Sequence, residues 1–333
     1  MKAIFLCEKS DSIFRVYDEA ALCELQRLVK IEKHRYTKAD LLSDPARFAE
    51  VEAVFSTWGM PVLSEEEIRT LLPSLKCVFY GAGTVQKFAR PFLNCGVKVF
   101  SAWAANAVPV AEMTVAQIIL ANKCYFQMSS AYQKGRSKTN LDRFDACNGN
   151  YDETVGIIGA GMIGRLVIRM LKQYKLNVIV YDPFLPDEVA TELGVKKCGL
   201  EELFASAFVV SNHLANNTQT KGMLGYPLFA RMRENATFIN TGRGAQVVEE
   251  DLVRILRERP DLMALLDVTD PEPAADDHRF YTLPNCLLTP HIAGSRGNEI
   301  ARMGLYMVEE YRAFCKGDAT RYEVTEKMLE TMA

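Results

Sequence analysis

Short apolar runs recur through the first hundred residues, separated by amphipathic stretches. KAIFLC (2–7), EAVFST (52–57), KCVFYG (76–81) and VKVFSA (97–102) are rich in β-branched and aromatic residues and read as buried strands. Between them, EAALCELQRLV (19–29) and EEEIRTLLPSL (65–75) carry helical spacing. Ser64 with Glu67 three positions on forms a capping box for the second, and Pro73 should end it near its last turn. Strands alternating with helices predict parallel pairing through crossover helices. The apolar segment 107–126 predicts a long helix capped by Asn106, with Pro109 in its first turn. Residues 133–150 are polar and weakly periodic and read as a surface connection. Alternation then resumes. TVGII (154–158), NVIVY (177–181), FVVSNH (208–213), ATFIN (236–240), LMALLDV (262–268) and NCLLT (285–289) read as the strands of a second, larger α/β unit. From about Gly294 the chain reads as helix, ending in a polar tail.

A length of 333 residues is long for one core and favours two domains. The net charge of −3, with no basic run, gives no reason to expect nucleic acid or an anionic membrane as partner. The nine cysteines are scattered, odd in number and without a CxxC pair. That pattern predicts free or buried thiols in a reducing compartment, no disulfide framework and no metal site. The apolar start, MKAIFLC, is too short for a signal peptide, and no stretch is expected to reach the ~20 apolar residues of a membrane span. The expected location is the cytoplasm.

The sharpest motif is TVGIIGAGMIGRLVIRML (154–171), in which Gly159, Gly161 and Gly164 make GxGxxG. An apolar strand precedes it and an amphipathic helix follows. A second strand then leads to Asp182, 18 residues after Gly164. Gly159 permits a tight turn, Gly161 a close approach of backbone to a pyrophosphate, and Gly164 close packing of helix on sheet. The helix N-terminus offers N–H groups and partial positive charge to phosphates. Asp182 would accept the adenosine ribose hydroxyls and repel a 2′-phosphate, favouring NAD over NADP. FAD and S-adenosylmethionine use related turns and are the chemical competitors.

Ligands of open α/β sheets bind beyond the carboxyl ends of the strands. ATFINTGRG places Arg243 just past one such end. LMALLDVTDPEP places Asp267 at another with Glu272 in the following loop, and LLTPHIAG places His291 past a third. The set suits hydride transfer to a carbonyl. His291 can give the proton that the developing alkoxide needs. Glu272 would favour its charged form, and Arg243 can grip a carboxylate through its fixed fork.

On GAGMIG with YDP, INTGRG, LDVTDPEP and LTPHIAG in that order, the chain resembles the D-isomer-specific 2-hydroxyacid dehydrogenase family over nearly its whole length. The resemblance implies an α/β fold in which a Rossmann coenzyme domain (106–294) is inserted into a smaller flavodoxin-like substrate domain (1–105 plus 295–333). It implies a homodimer that uses NAD(H) on a small 2-oxo acid such as glyoxylate, hydroxypyruvate or pyruvate. Arg243, Glu272 and His291 fall on the family's catalytic residues. Cofactor contact is implied for Gly159, Gly161, Met162, Ile163, Gly164, Asp182, His213, Thr241 and Asp267, the last also tuning the pH response. YGAGTV (80–85) resembles the loop that holds the substrate carboxylate, through Ala82 and Gly83. The family's usual HxPxT loop reads HLANNT here, with Ala215 and Asn217 in place of proline and threonine. The tryptophan often found before the glycine turn is absent, and Trp58 and Trp103 read either as packing or as substrate contacts. The long phosphoglycerate dehydrogenases' regulatory domain is expected to be missing. Glu272 argues against the formate dehydrogenase branch. An NAD(H)-sensing corepressor on the same fold is the alternative from a different class, and a nucleotide-turn enzyme such as a methyltransferase is a third reading.

Overall fold

The computed structural model describes residues 1–9, 12–134, 147 and 149–330. Most of the polar connection at 133–150 lies outside the described residues. The chain divides into two compact units, Met1–Asn106 with Ser295–Ala333, and Ala107–Gly294. In chain order its strands are β1 (Ala3–Leu6), β2 (Arg35–Tyr36), β3 (Ala53–Ser56), β4 (Cys77–Tyr80), β5 (Lys98–Ser101), β6 (Tyr151–Ile158), β7 (Lys175–Tyr181), β8 (Lys196–Lys197), β9 (Val209–Asn212), β10 (Thr237–Asn240), β11 (Met263–Leu266), β12 (Cys286–Leu288) and β13 (Glu323–Val324).

The first unit holds a sheet in the order β2-β1-β3-β4-β5-β13, parallel except for the β5–β13 edge. Strands β1, β3 and β4 are buried along their whole length, as a sheet covered on both faces requires. One face packs the cluster of Leu6, Val54, Val78 and Phe92, the other that of Phe5, Phe55, Phe79 and Phe100. The helix Glu299–Lys316 covers the aromatic face with Ile300, Met303, Met307, Val308 and Tyr311, which follow helical spacing. Gly304 on that face lies so close to the Val16 carbonyl that a Cβ would sit 2.0 Å from its oxygen. The expected polar tail is in part ordered structure: β13 pairs with β5 through Val324 and Val99. A two-residue strand shows no readable alternation in sequence.

The second unit holds a fully parallel sheet in the order β12-β11-β10-β9-β6-β7-β8. Strand order reverses between β6 and β9, which is where a doubly wound sheet opens its ligand crevice. The helix Met162–Leu171 turns Gly164, Val167, Ile168 and Leu171 inward. The helix Glu249–Glu258 has Glu249, Glu250 and Asp251 in its first turn and Arg257 in its last, matching its dipole. The fold is therefore α/β, with a Rossmann-type sheet in the second unit.

Three expectations need correction. The long helix runs from Trp103 to Ala121, so Pro109 lies inside it and Asn106 is not its cap. The Asn106 side chain instead accepts the Ser295 N–H at 2.9 Å. By length and composition alone this helix is apolar enough to cross a membrane, and half of that stretch is buried within the protein. The free-thiol expectation fails for one pair: Cys124 and Cys147 form a disulfide with Cα atoms 6.2 Å apart. Nothing local in the sequence marks a pair 23 residues apart.

Candidate active site

The glycine turn joins β6 to the helix Met162–Leu171. Gly159 has a φ of +90°, and a Cβ there would meet the His213 carbonyl oxygen at 2.7 Å. At Gly164 a Cβ would lie 2.0 Å from the Gly159 oxygen, so helix and turn are in direct backbone contact. Gly161, at the helix N-cap, has nothing within 4 Å of a notional Cβ. This is open space at the positive end of a helix, as a pyrophosphate needs. Ile163 packs into the core, whereas Met162 is exposed beside the turn. Asp182 follows β7 and folds back on the turn. Its Oδ2 accepts the Ala160 N–H at 2.7 Å and its Oδ1 accepts the Phe184 N–H at 2.8 Å. Each carboxylate oxygen can accept a further bond, so a ribose could still be held.

His213 directly follows β9 and is 9% exposed. Its Nε2 pairs with Ser211 Oγ at 2.9 Å, and its Nδ1 has no partner among the described residues. Thr241 directly follows β10 and is buried, with its hydroxyl 3.1 Å from that of Thr114. An open turn, an orphaned imidazole nitrogen and a carboxylate at the second strand end fit a dinucleotide lying across the β6–β9 crevice.

Burial pulls the His213 imidazole from 6.5 down to about 4. The unfolded chain takes up a proton near pH 6.5 while the folded chain refuses it. Stability is therefore full above about pH 6.5 and is lost as pH falls toward 4, by about 3 kcal/mol in all. Urea unfolding at neutral and mildly acid pH should show this loss, and His213→Asn should flatten it. Equal acid sensitivity in both proteins would refute the assignment.

The reactive groups gather at the carboxyl ends of β10, β11 and β12. His291 Nδ1 lies 2.6 Å from Glu272 Oε1. The carboxylate at Nδ1 sets the orientation of the ring. His291 has a φ of +51°, a left-handed conformation costly for a residue with a side chain. Asp267 holds it in place. The 2%-exposed carboxylate accepts the Ile292 and Ala293 N–H groups at 2.8 Å each and the Thr289 hydroxyl at 2.6 Å. The Asp267 backbone carbonyl accepts the His291 N–H itself at 3.0 Å. In this structure Asp267 thus acts as a brace for the histidine turn. A cavity of about 270 Å³ opens here, lined by Asp267, Thr269, Glu272, Tyr281, Thr289 and His291.

Arg243 follows β10, its Nη1 donating to the Gly242 carbonyl at 2.7 Å. Burial draws its guanidinium below the usual range, and the nearby Glu272 charge opposes that. Arg243, Glu272 and His291 are thus brought together in the second unit. Ala82 and Gly83 lie in the first unit at the carboxyl end of β4, where their carbonyls accept the Ser101 hydroxyl. Trp103 meets Tyr322 edge-on at 5.8 Å, a packing role, while Trp58 is part-exposed after β3. Among the described residues no cluster of three or more His, Cys, Asp or Glu is placed to hold a metal.

Sequence reasoning missed a buried amide network behind Arg243. Asn212 Nδ2 donates to Asn240 Oδ1 at 3.0 Å and to Gln246 Oε1 at 2.6 Å. The Arg243 N–H donates to Gln246 Oε1 at 3.2 Å, and Asn240 Nδ2 donates to the Arg243 carbonyl at 3.0 Å. Gln246 Nε2 donates to the carbonyls of Leu214 and Ala215. The HLANNT segment therefore has its own support. Asn217 Oδ1 accepts the N–H groups of Gln219 and Thr220, and the Thr220 hydroxyl closes on Ala215. Polar residues at the ends of two buried strands, Asn212 and Asn240, were the readable signal.

Comparison with known proteins identifies the family. Residues 115–293 match the model of the D-isomer specific 2-hydroxyacid dehydrogenase NAD binding domain. A D-3-phosphoglycerate dehydrogenase of Archaeoglobus fulgidus is 29% identical over 235 residues, 71% of this chain and 44% of its own length. A glyoxylate reductase of Korarchaeum cryptofilum is 26% identical over 314 residues, covering 91% of this chain and 93% of its own. A phosphoglycerate oxidoreductase from Rhizobium etli shares the fold with a TM-score of 0.81 at 20% identity, over 98% of this chain and 99% of that one. The chain thus spans less than half the length of some relatives it matches and nearly all of others. With the glycine turn, the arginine and the glutamate–histidine pair on the strand ends where this matched domain lies, the chain belongs to the D-isomer specific 2-hydroxyacid dehydrogenase family.

Proposed function

We propose that this protein is an NAD(H)-dependent oxidoreductase that reduces a small 2-oxo acid to the D-2-hydroxy acid, with glyoxylate, hydroxypyruvate and pyruvate as candidate substrates. The observation that carries the reading is the 2.6 Å His291–Glu272 pair beside Arg243. The second unit serves as coenzyme domain and the first, with Ala82 and Gly83, as substrate domain. The active form is a homodimer.

When bound, the nicotinamide supplies the hydride. Arg243 grips the substrate carboxylate and carbonyl oxygen, leaving the carbonyl carbon exposed to attack. His291 delivers a proton from Nε2 to that oxygen as negative charge builds on it. Glu272 accepts from Nδ1, fixing the ring. Names of relatives, a glyoxylate reductase and a D-3-phosphoglycerate dehydrogenase, support the substrate class. No described residue favours the corepressor reading.

Asp182 sets the choice of dinucleotide in this proposal. Its carboxylate faces the turn at the end of β7 and opposes a 2′-phosphate. NADH should bind more tightly than NADPH, and Asp182→Ala should narrow the gap by roughly tenfold or more. Dissociation constants from nicotinamide fluorescence check this, and an unchanged ratio would refute it. The reaction is tested by NADH oxidation against glyoxylate, hydroxypyruvate, pyruvate and bulkier 2-oxo acids. Saturable turnover with at least one is the expected outcome. Silence across the panel with NADH bound would overturn the proposal.

A further inference from the structure

We propose that Glu249 and His278 form a positioning pair that holds the loop carrying Glu272 against His291. The inference rests on the reading of Glu272 and His291 given above. Glu249 is the first residue of the helix that follows the Arg243 turn. Its Oε1 accepts the Asp270 N–H at 2.9 Å, two residues before Glu272. Its Oε2 lies 3.0 Å from His278 Nε2, six residues after Glu272. One carboxylate therefore grips both ends of the segment that carries the proton donor's partner.

The hydrogen bonds fix the state of the imidazole. His278 Nδ1 accepts the Phe280 N–H at 3.2 Å, so a neutral ring carries its proton on Nε2 and donates it to Glu249. The side chains are only 21% and 14% exposed, so the interaction is little screened. The groups facing Glu249 are His278, Asp270 on its own loop and the Cys286 thiol on β12. Burial makes Glu249 hold a proton more readily than usual, and the Asp270 N–H and His278 oppose this. Two further contacts confine the same loop. The Thr269 hydroxyl donates to the Pro271 carbonyl at 2.9 Å. Gly244, next to Arg243, fits so closely that a Cβ would stand 2.1 Å from the Thr269 carbonyl carbon. The loop is thus braced from the Arg243 side of the site, and Glu249 supplies the charged part of that brace.

The test follows steady-state NADH oxidation in the full chain, over a range of concentrations of the best 2-oxo acid, for wild type, Glu249→Ala and His278→Gln. NADH binding is measured by fluorescence in parallel. In Glu249→Ala kcat should drop roughly tenfold to a hundredfold, with KM for the 2-oxo acid and NADH binding unchanged, because a displaced Glu272 no longer orients His291 while Arg243 keeps its grip on the substrate. His278→Gln should lower kcat in the same way by less. A folded Glu249→Ala protein with unchanged kcat, or with KM and NADH binding lost alongside kcat, would overturn the proposal, since a general structural role moves all three together. Should Glu249→Ala not fold, Glu249→Gln decides by the same split, because it keeps one acceptor but loses the charge. An active His291→Asn variant would instead remove the underlying proton-donor reading.

Discussion

His291→Asn should lower reductive turnover about a thousandfold, the usual scale for losing a positioned general acid. NADH binding should stay close to wild type. Asparagine is the informative replacement because it tolerates the left-handed backbone found here, a φ of +51°, better than alanine does. The Asp267 brace on residues 289–293 would then survive, and the lost activity would report the proton and not the turn. Steady-state NADH oxidation and a binding titration check this together. Near-normal turnover would mean that another group, or water, supplies the proton.

Arg243→Ala should cost on the order of a thousandfold in kcat/KM, the scale of a charged, partly buried hydrogen-bonded pair deprived of one partner. The loss should appear strongly in KM, because the grip on the substrate carboxylate exists before the transition state. Arg243→Lys should recover only part of it, since an ammonium keeps the charge but not the two-pronged geometry. The Arg243 backbone is held by Gln246 and Asn240, so the side chain can be removed without dismantling the turn. Equal kcat/KM in the lysine variant and wild type would show that charge alone suffices.

Much of this site was legible because its residues sit where two local patterns meet. Arg243 and His291 each follow an apolar run that ends in polar or small residues, and such runs are strands with readable carboxyl ends. The glycine turn was legible for the same reason, since strand, three glycines and helix are consecutive. Other features depend on partners distant in sequence. Nothing near Glu249 announces that it will meet Asp270 and His278, 21 and 29 residues on. Gln246 supports Leu214 from 32 residues away. The helix start was misplaced because Pro109 is an ordinary first-turn signal, whereas here the helix begins at Trp103. The strands β2, β8 and β13 are two residues each, too short for alternation to register.

In the proposed reaction Arg243 and His291 would hold a 2-oxo acid so that a bound nicotinamide could supply hydride to its carbonyl carbon, with the D-alcohol as product. The most direct measurement is the product formed from pyruvate or hydroxypyruvate with NADH deuterated at the transferred position, resolved by chiral chromatography and mass spectrometry. A D-2-hydroxy acid carrying a single deuterium at its second carbon is the expected result. An L-product, or a reduced product without that deuterium, would contradict the claim.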